Sequence, residues 1–165
     1  AVHAPTVILD VWEGEPSVSE GLLSKVQYGS AHIAGYSLDG KLLATKMLKN
    51  ALLEHLKMSP ATGDGELPAG VPSIHLPGTL GGAALLRALL QHNYDLGLDD
   101  RLLREAVCGQ RAFVAAANFD RLRKEYRARR EIFGANVEVT LSSPVDLNII
   151  ETMGCRQLES CVGGP

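Results

Sequence analysis

A glutamate and a histidine seventeen positions apart are the residues of this sequence whose types and settings best suit chemistry. Glu15 lies in the stretch LDVWEGEP, and His32 lies in SAHIAGY. Each stretch follows a predicted strand or precedes a predicted helix, which is where ligands bind in α/β sheets. Taken singly, Glu15 fits a solvated loop carboxylate and His32 a structural histidine. As a pair, they favour a reactive site.

The elements that must position this pair indicate an α/β fold. TVILDVW is a run of β-branched and apolar residues broken by one Asp, which predicts a strand buried on both faces of a parallel sheet. Ser17 and Ser19 can cap a short helix over SEGLLSKV, and Ser37 is the predicted N-cap of a long helix with leucines at helical spacing. Because no neighbouring strand is predicted upstream, we interpret residues 1–57 as the C-terminal remnant of a Rossmann-like domain.

A second unit follows a stretch rich in proline and glycine. That stretch shows no apolar period and predicts a linker at 58–71. Beyond it, residues 72–165 predict strands at SIHLPG, ANVEVTL and CRQLES, with helices between them. Ser143, Pro144 and Gly154 frame the last helix with a cap, a first-turn proline and a C-terminal glycine. We predict a small α+β domain here.

The composition argues against several classes of partner. The 165 residues carry a net charge of −3, whereas nucleic acids and acidic membranes attract basic proteins. In DRLRKEYRARR, acidic residues interleave with the arginines, which is typical of a solvated helix face. The chain has no apolar run of about 18 to 20 residues and no signal-peptide pattern at its start, so we expect a cytoplasmic protein that binds neither membrane nor nucleic acid.

Cysteine and histidine spacing predicts no metal site and no disulfide framework. Cys108, Cys155 and Cys161 are too few and too widely spaced, so we expect reduced thiols, with Cys108 as a small core residue on a helix. The remaining histidines are scattered without an i, i+4 pair. They are His3, His55, His75 and His92.

Three motifs resemble the D-isomer-specific 2-hydroxyacid dehydrogenases. In that family a strand ending in Asp-Val leads to Glu-Pro, and Pro-His-Ile-Gly/Ala-Gly follows. The counterparts in this chain are Asp10-Val11, Glu15-Pro16 and His32-Ile33-Ala34-Gly35. The short spacing from Glu15 to His32 and the stretch NFDRLRKEYRARREIFGANVEV are similar to one branch of the family. Members of that branch carry an extra C-terminal dimerisation domain, which corresponds to residues 72–165.

The resemblance implies an oxidoreductase that acts on a small phosphorylated hydroxy acid with NAD as cofactor. His32 would be the base that takes the hydroxyl proton, and Glu15 would hydrogen-bond the other ring nitrogen. Asp10 and Gly35 would contact the cofactor, and Tyr36 would donate its hydroxyl to the substrate. The resemblance also implies a homodimer.

This chain departs from the family pattern in several places. Ser30-Ala31 replaces the usual Thr-Pro, and LLAT stands where an arginine normally follows Gly-Lys. The family's catalytic arginine and its glycine-rich loop are expected upstream of Ala1. The alternative hypothesis is therefore a non-catalytic dimerisation or ligand-binding module without a complete active site.

Overall fold

Six helices and five strands lie within residues 5–59 and 70–158, the residues that the computed structural model describes. In chain order they are β1 (Ile8–Leu9), α1 (Glu20–Leu23), β2 (Tyr28–Gly29), α2 (Leu38–His55), β3 (Ser73–Leu80), α3 (Gly82–Asn93), α4 (Leu96–Val107), α5 (Ala112–Lys124), β4 (Asn136–Leu141), a 3-10 turn (Pro144–Asp146), α6 (Leu147–Thr152) and β5 (Arg156–Leu158). Every strand pairing is parallel, so the fold is α/β. Positions 60–69 of the predicted linker, His3, Cys161 and the end of the predicted last strand lie outside the described residues.

Two compact units, each assembled from two segments of chain, divide the molecule. The first comprises residues 1–36 and 95–128, and the second comprises 37–94 and 129–165. The predicted boundaries, 1–57 and 72–165, do not follow these units. The reason is long-range hydrogen bonding: the Gly29 amide donates to Asp100, 71 positions away, at 2.8 Å. Such a pairing leaves no local pattern in the sequence.

The first unit contains the parallel pair β1 and β2, in which Leu9 lies opposite Gly29. Strand β2 was not predicted, because two residues are too few to show a period. The prediction that the first strand is buried on both faces is wrong, since Ile8 is 53 % and Val11 61 % exposed. Within the described residues β2 is the one strand that pairs with β1, so β1 is left partly uncovered.

Helix α4 is hydrogen-bonded to β2 and to the C-terminal end of α1 in this unit. The Arg104 guanidinium pairs with Asp100 at 2.9 Å and donates to the carbonyls of Leu23 and Val26 at 3.1 Å. Helix α1 begins, as predicted, after Ser19, whose hydroxyl accepts from the Leu22 amide. The prediction that Cys108 is a core residue is wrong: it is exposed, because it lies at the end of α4 rather than within it.

The second unit is built on the sheet β3-β4-β5, with β4 in the middle. Because all its strands are parallel, each connection must cross over the sheet, and this corrects the predicted α+β domain to α/β. The apolar residues of β3 and β4 pack with α3 and α6 into one core. Its members include Ile74, Leu85, Leu89, Val137 and Ile150.

The predicted long helix exists as α2, also in the second unit. Its N-cap is Ser37 as predicted, because the Ser37 hydroxyl accepts from the Gly40 amide at 2.9 Å. The Arg130 guanidinium donates to Asp39 at 2.9 Å, and this hydrogen bond lowers the pKa of that carboxyl. None of the α2 residues is buried, so its leucines do not form the core face that their spacing suggests.

Candidate active site

The predicted site residues lie together in the first unit, at the carboxyl ends of two strands. Asp10 directly follows β1, and His32 comes shortly after β2. Parallel strands end at the same edge of a sheet, so the two loops meet there. His32 has φ 54°, in the left-handed region that side-chain-bearing residues seldom adopt. Something must therefore hold this loop in place.

The carboxylate of Asp10 holds the His32 loop. It accepts from the Ile33 amide at 2.8 Å, from the Ala34 amide at 3.0 Å and from the Ser30 hydroxyl at 2.7 Å. These donors lie on both sides of His32. Asp10 thus compensates for the left-handed backbone at His32, and Ser30 supplies a restraint where the family's Thr-Pro is missing.

Glu15 and His32 form the predicted pair. Glu15 Oε2 lies 2.8 Å from His32 Nδ1, and Glu15 Oε1 accepts from the Trp12 amide at 2.8 Å. A carboxylate only accepts, so Nδ1 carries a proton and Nε2 of the neutral ring becomes the acceptor. The Glu15 side chain is 18 % exposed and that of His32 is 44 % exposed. The pair therefore presents the imidazole to solvent and keeps the carboxylate behind it.

The surroundings of Glu15 favour its ionised form. Partial burial raises the pKa of its carboxyl. The hydrogen bonds from His32 and the Trp12 amide, together with the charges of His32 and Arg123, lower this pKa by more than burial raises it. The net result is a pKa below the usual value for glutamate. Glu15 is therefore a carboxylate near neutral pH, as an orienting partner of His32 must be.

Because the pKa of Glu15 is lowered in the folded chain, this group stabilises the fold above its unfolded pKa. That stabilisation disappears as pH falls through the lower, folded pKa. We expect the melting temperature of the wild type to exceed that of Glu15→Gln at about pH 6, and the gap to narrow toward about pH 3. Thermal unfolding followed by circular dichroism measures this difference in melting temperature. Glu13→Gln, at an exposed neighbouring position, is the control; a gap that stays constant with pH would contradict the expectation.

Trp12 braces the same loops and was not singled out from the sequence. Its indole Nε1 donates to the Ser30 carbonyl at 2.8 Å, and the ring is buried. The indole packs so close to Gly29 that an added Cβ would lie 2.7 Å from its ring. It is the one tryptophan of the chain, and it lies within the LDVWEGEP motif. The sequence could have identified Trp12 from its being the one tryptophan and from its place in this motif.

Tyr36 contacts one aromatic and one cationic side chain from the other segment of the unit. Its ring meets that of Tyr126 edge to face, with the centroids 6.2 Å apart. The Tyr126 hydroxyl donates to the buried carboxylate of Asp99 at 2.9 Å, which fixes the orientation of that ring. The Arg123 guanidinium lies over the Tyr36 ring at 5.7 Å. Sequence analysis identified Tyr36 but none of the three residues that position it.

Gly35 lies between the histidine loop and Tyr36. A Cβ added there would meet no atom within 4 Å, so contacts among the described residues do not require a glycine. The missing side chain instead leaves an open surface beside the loop, and a flat ring could approach the backbone there. The contact of Gly35 with a cofactor stays a prediction.

Three further features of the described residues concern other kinds of site: a cavity, possible metal ligands and possible membrane-spanning helices. Ala31 and Ile33, which flank His32, line a cavity of about 250 Å³ together with residues of α4 and α5, but Glu15 and His32 do not line it. Within residues 5–59 and 70–158, no three histidine, cysteine or acidic side chains cluster as metal ligands would. No helix in these ranges has the length and apolar character needed to cross a bilayer.

Comparison with known proteins agrees with the motifs. Residues 68–154 match the family model described as "Domain of unknown function (DUF3410)". Proteins named erythronate-4-phosphate dehydrogenase are similar along most of the chain. The one from Cellvibrio japonicus is 37 % identical over 160 residues, covering 93 % of this chain and 42 % of its own length. The one from Colwellia psychrerythraea is 39 % identical, covering 93 % and 37 %, and the one from Pseudomonas fluorescens is 35 % identical, covering 92 % and 40 %. The resemblance to dehydrogenases is thus confirmed, although the chain spans only about two fifths of the length of these relatives.

Proposed function

This chain belongs to the family described as a domain of unknown function (DUF3410), and we propose that it carries the acid–base part of an NAD-dependent 2-hydroxyacid dehydrogenase. The substrate we propose is 4-phospho-D-erythronate, which is oxidised at its 2-hydroxyl to 2-oxo-3-hydroxy-4-phosphobutanoate, a step in pyridoxine 5'-phosphate biosynthesis. The observation that carries the proposal is the 2.8 Å hydrogen bond between Glu15 and His32, in a chain similar to named erythronate-4-phosphate dehydrogenases.

The chemistry assigned to the pair follows from its geometry. With Nδ1 bonded to Glu15, Nε2 of His32 is free to accept the proton of the substrate 2-hydroxyl. The Glu15 carboxylate then stabilises the imidazolium that forms. In the reverse direction the imidazolium returns the proton to the oxygen of the 2-oxo group. Tyr36, four positions after His32, orients the substrate through its hydroxyl in this proposal.

The cofactor site is proposed from the same loops. NAD supplies the chemistry that the protein lacks, because when bound it accepts the hydride from C2 of the substrate. The open surface at Gly35 supports its placement next to His32. Asp10 fits a role near the cofactor only in addition to its role in the loop, since its carboxylate already accepts three hydrogen bonds. We further propose that the parallel pair β1 and β2 is part of a Rossmann-like NAD-binding domain.

The test is NADH formation by the intact protein with 4-phospho-D-erythronate and NAD, followed by the absorbance of NADH. Turnover with this substrate supports the proposal, and no turnover contradicts it. The alternative function is a non-catalytic dimerisation or ligand-binding module. Fluorescence titration of residues 1–165 with NADH addresses that alternative: micromolar binding by this chain would argue against a module, and we expect weak binding or none.

We also propose that the protein is a homodimer, with residues 72–165 as the dimerisation domain. The similarity of NFDRLRKEYRARREIFGANVEV to the branch with such a domain supports it. Size-exclusion chromatography with light scattering should give twice the protomer mass. A monomer at high protein concentration would contradict this proposal.

A further inference from the structure

Arg123, in the last turn of α5, lies next to the proposed site but forms none of the pairs that its neighbours form. Its guanidinium stacks over the Tyr36 ring at 5.7 Å. Its charge is one of those that act on the Glu15 carboxyl. The side chain therefore reaches the same part of the first unit as the Glu15–His32 pair, although it is 91 positions from His32 in sequence.

Two arginines that follow it in the sequence have carboxylate partners. Arg127 pairs with Asp99, and Arg130 pairs with Asp39. Arg123 differs from them, because its Nε is buried without a hydrogen-bond partner, and no carboxylate pairs with its guanidinium within the described part of the chain. A buried donor on a cation is costly to leave unsatisfied. An anion at this guanidinium would supply charge-assisted hydrogen bonds.

An anionic substrate that approaches His32 also approaches the negative charge of Glu15. Glu15 is a carboxylate, and it would repel an anionic substrate brought to His32. Among the described residues, Arg123 is the one arginine or lysine whose charge acts on this carboxylate. A phosphate carries nearly two negative charges and three acceptor oxygens at neutral pH, and a planar guanidinium matches it with parallel N–H donors.

We infer that Arg123 is a substrate-binding and specificity residue that receives the phosphate group of the substrate through its guanidinium. This inference rests on the function proposed above and adds a residue to it. It assigns α5 a part in selecting phosphorylated over unphosphorylated hydroxy acids. The cation–π contact with Tyr36 restrains the guanidinium before the substrate arrives.

The kinetic test compares 4-phospho-D-erythronate with D-erythronate in the intact protein. We expect Arg123→Met to raise KM for the phosphorylated substrate about 10- to 100-fold, with little change in kcat, because a charge-assisted hydrogen bond is lost. KM for D-erythronate should not change, and Arg123→Lys should recover part of the loss. Lys124→Met, which removes an exposed positive charge from the same turn, is the control. An equal loss with both substrates, or the same result in the control, would overturn the inference.

A second measurement does not depend on turnover. The Arg123 Nε–Hε signal in the NMR spectrum of the chain is followed during titration with inorganic phosphate, and it is assigned by its absence in Arg123→Met. A saturable shift of this signal supports the inference even if the wild type oxidises neither hydroxy acid, in which case only the proposed function fails. No shift on titration overturns the inference.

Discussion

Replacement of His32 by alanine is expected to lower kcat for the oxidation of 4-phospho-D-erythronate by about 100- to 10,000-fold, the usual contribution of a positioned general base. The structure gives the reason. Glu15 holds Nδ1 of the ring at 2.8 Å, so Nε2 is the acceptor for the hydroxyl proton, and alanine leaves no group to take it. The substrate KM should change far less, because the ring's main role is in proton transfer. Steady-state kinetics in the intact protein measures both constants.

The chain contains its own control for this experiment. His75 and Glu138 form a second histidine–glutamate pair, in the second unit, with Nδ1 and Oε2 3.2 Å apart. Both side chains are at least half exposed, so this pair is a surface contact. His75→Ala should therefore leave turnover unchanged. If His32→Ala retained wild-type turnover, or if the two variants lost the same amount, the assignment of His32 as the base would be wrong.

Replacement of Asp10 by asparagine is expected to reduce both stability and kcat. One carboxylate oxygen becomes an amide nitrogen, which cannot accept from the amides of Ile33 or Ala34 and faces them as a second donor. Leaving such a group unsatisfied costs about 1 to 3 kcal/mol of unfolding free energy. With its support weakened, the left-handed backbone at His32 should relax, and kcat should fall by at least about tenfold, as misplaced catalytic groups usually show.

Three measurements separate this positioning role from a role in cofactor binding. Thermal unfolding and the NMR signals of the His32 ring should both change in Asp10→Asn, while KM for NAD stays within a small factor of the wild type. Asp120→Asn on α5 makes the same charge change in the same unit and serves as the control. A rise in KM for NAD with no change in melting temperature or in the His32 signals would show that Asp10 acts on the cofactor alone.

Asp10 and Arg123 differ in how much of their role is encoded in the local sequence. Asp10 was identified because it lies in a motif that resembles a family, but the resemblance implied contact with a cofactor. The structure adds a role that the resemblance did not imply, because this carboxylate accepts hydrogen bonds from Ser30, Ile33 and Ala34. Arg123 lies in a charge-rich stretch whose sequence suggests only a solvated helix face. Its half-buried position depends on the packing of α5 against residues far away in sequence, which no local pattern encodes.

The helices were predicted most accurately, and the burial of side chains was predicted least accurately. Ser19 and Ser37 cap α1 and α2 because capping is a local hydrogen bond between a side chain and the next turn. The prediction that TVILDVW is buried on both faces was wrong, and the α2 leucines are not buried despite their helical spacing, because burial depends on which other elements cover a face. The α/β class of the second unit was also missed, since the parallel direction of β3, β4 and β5 is set by crossover connections.

The sequence by itself determined the caps, the strand-to-loop positions and the Glu15–His32 pair, because each is written in residues close together or in motifs with a fixed spacing. Only the tertiary structure decided how the chain is divided into units and what supports the pair. Residues 95–128 pack with residues 1–36, and this brings Arg123 and Tyr126 to Tyr36. Long-range hydrogen bonds such as that between Gly29 and Asp100 stabilise this arrangement, and the whole first segment of the second unit lies between these two residues in sequence. Hydrogen bonds of that kind depend on the folded path of the chain, so they become visible only when the chain is folded.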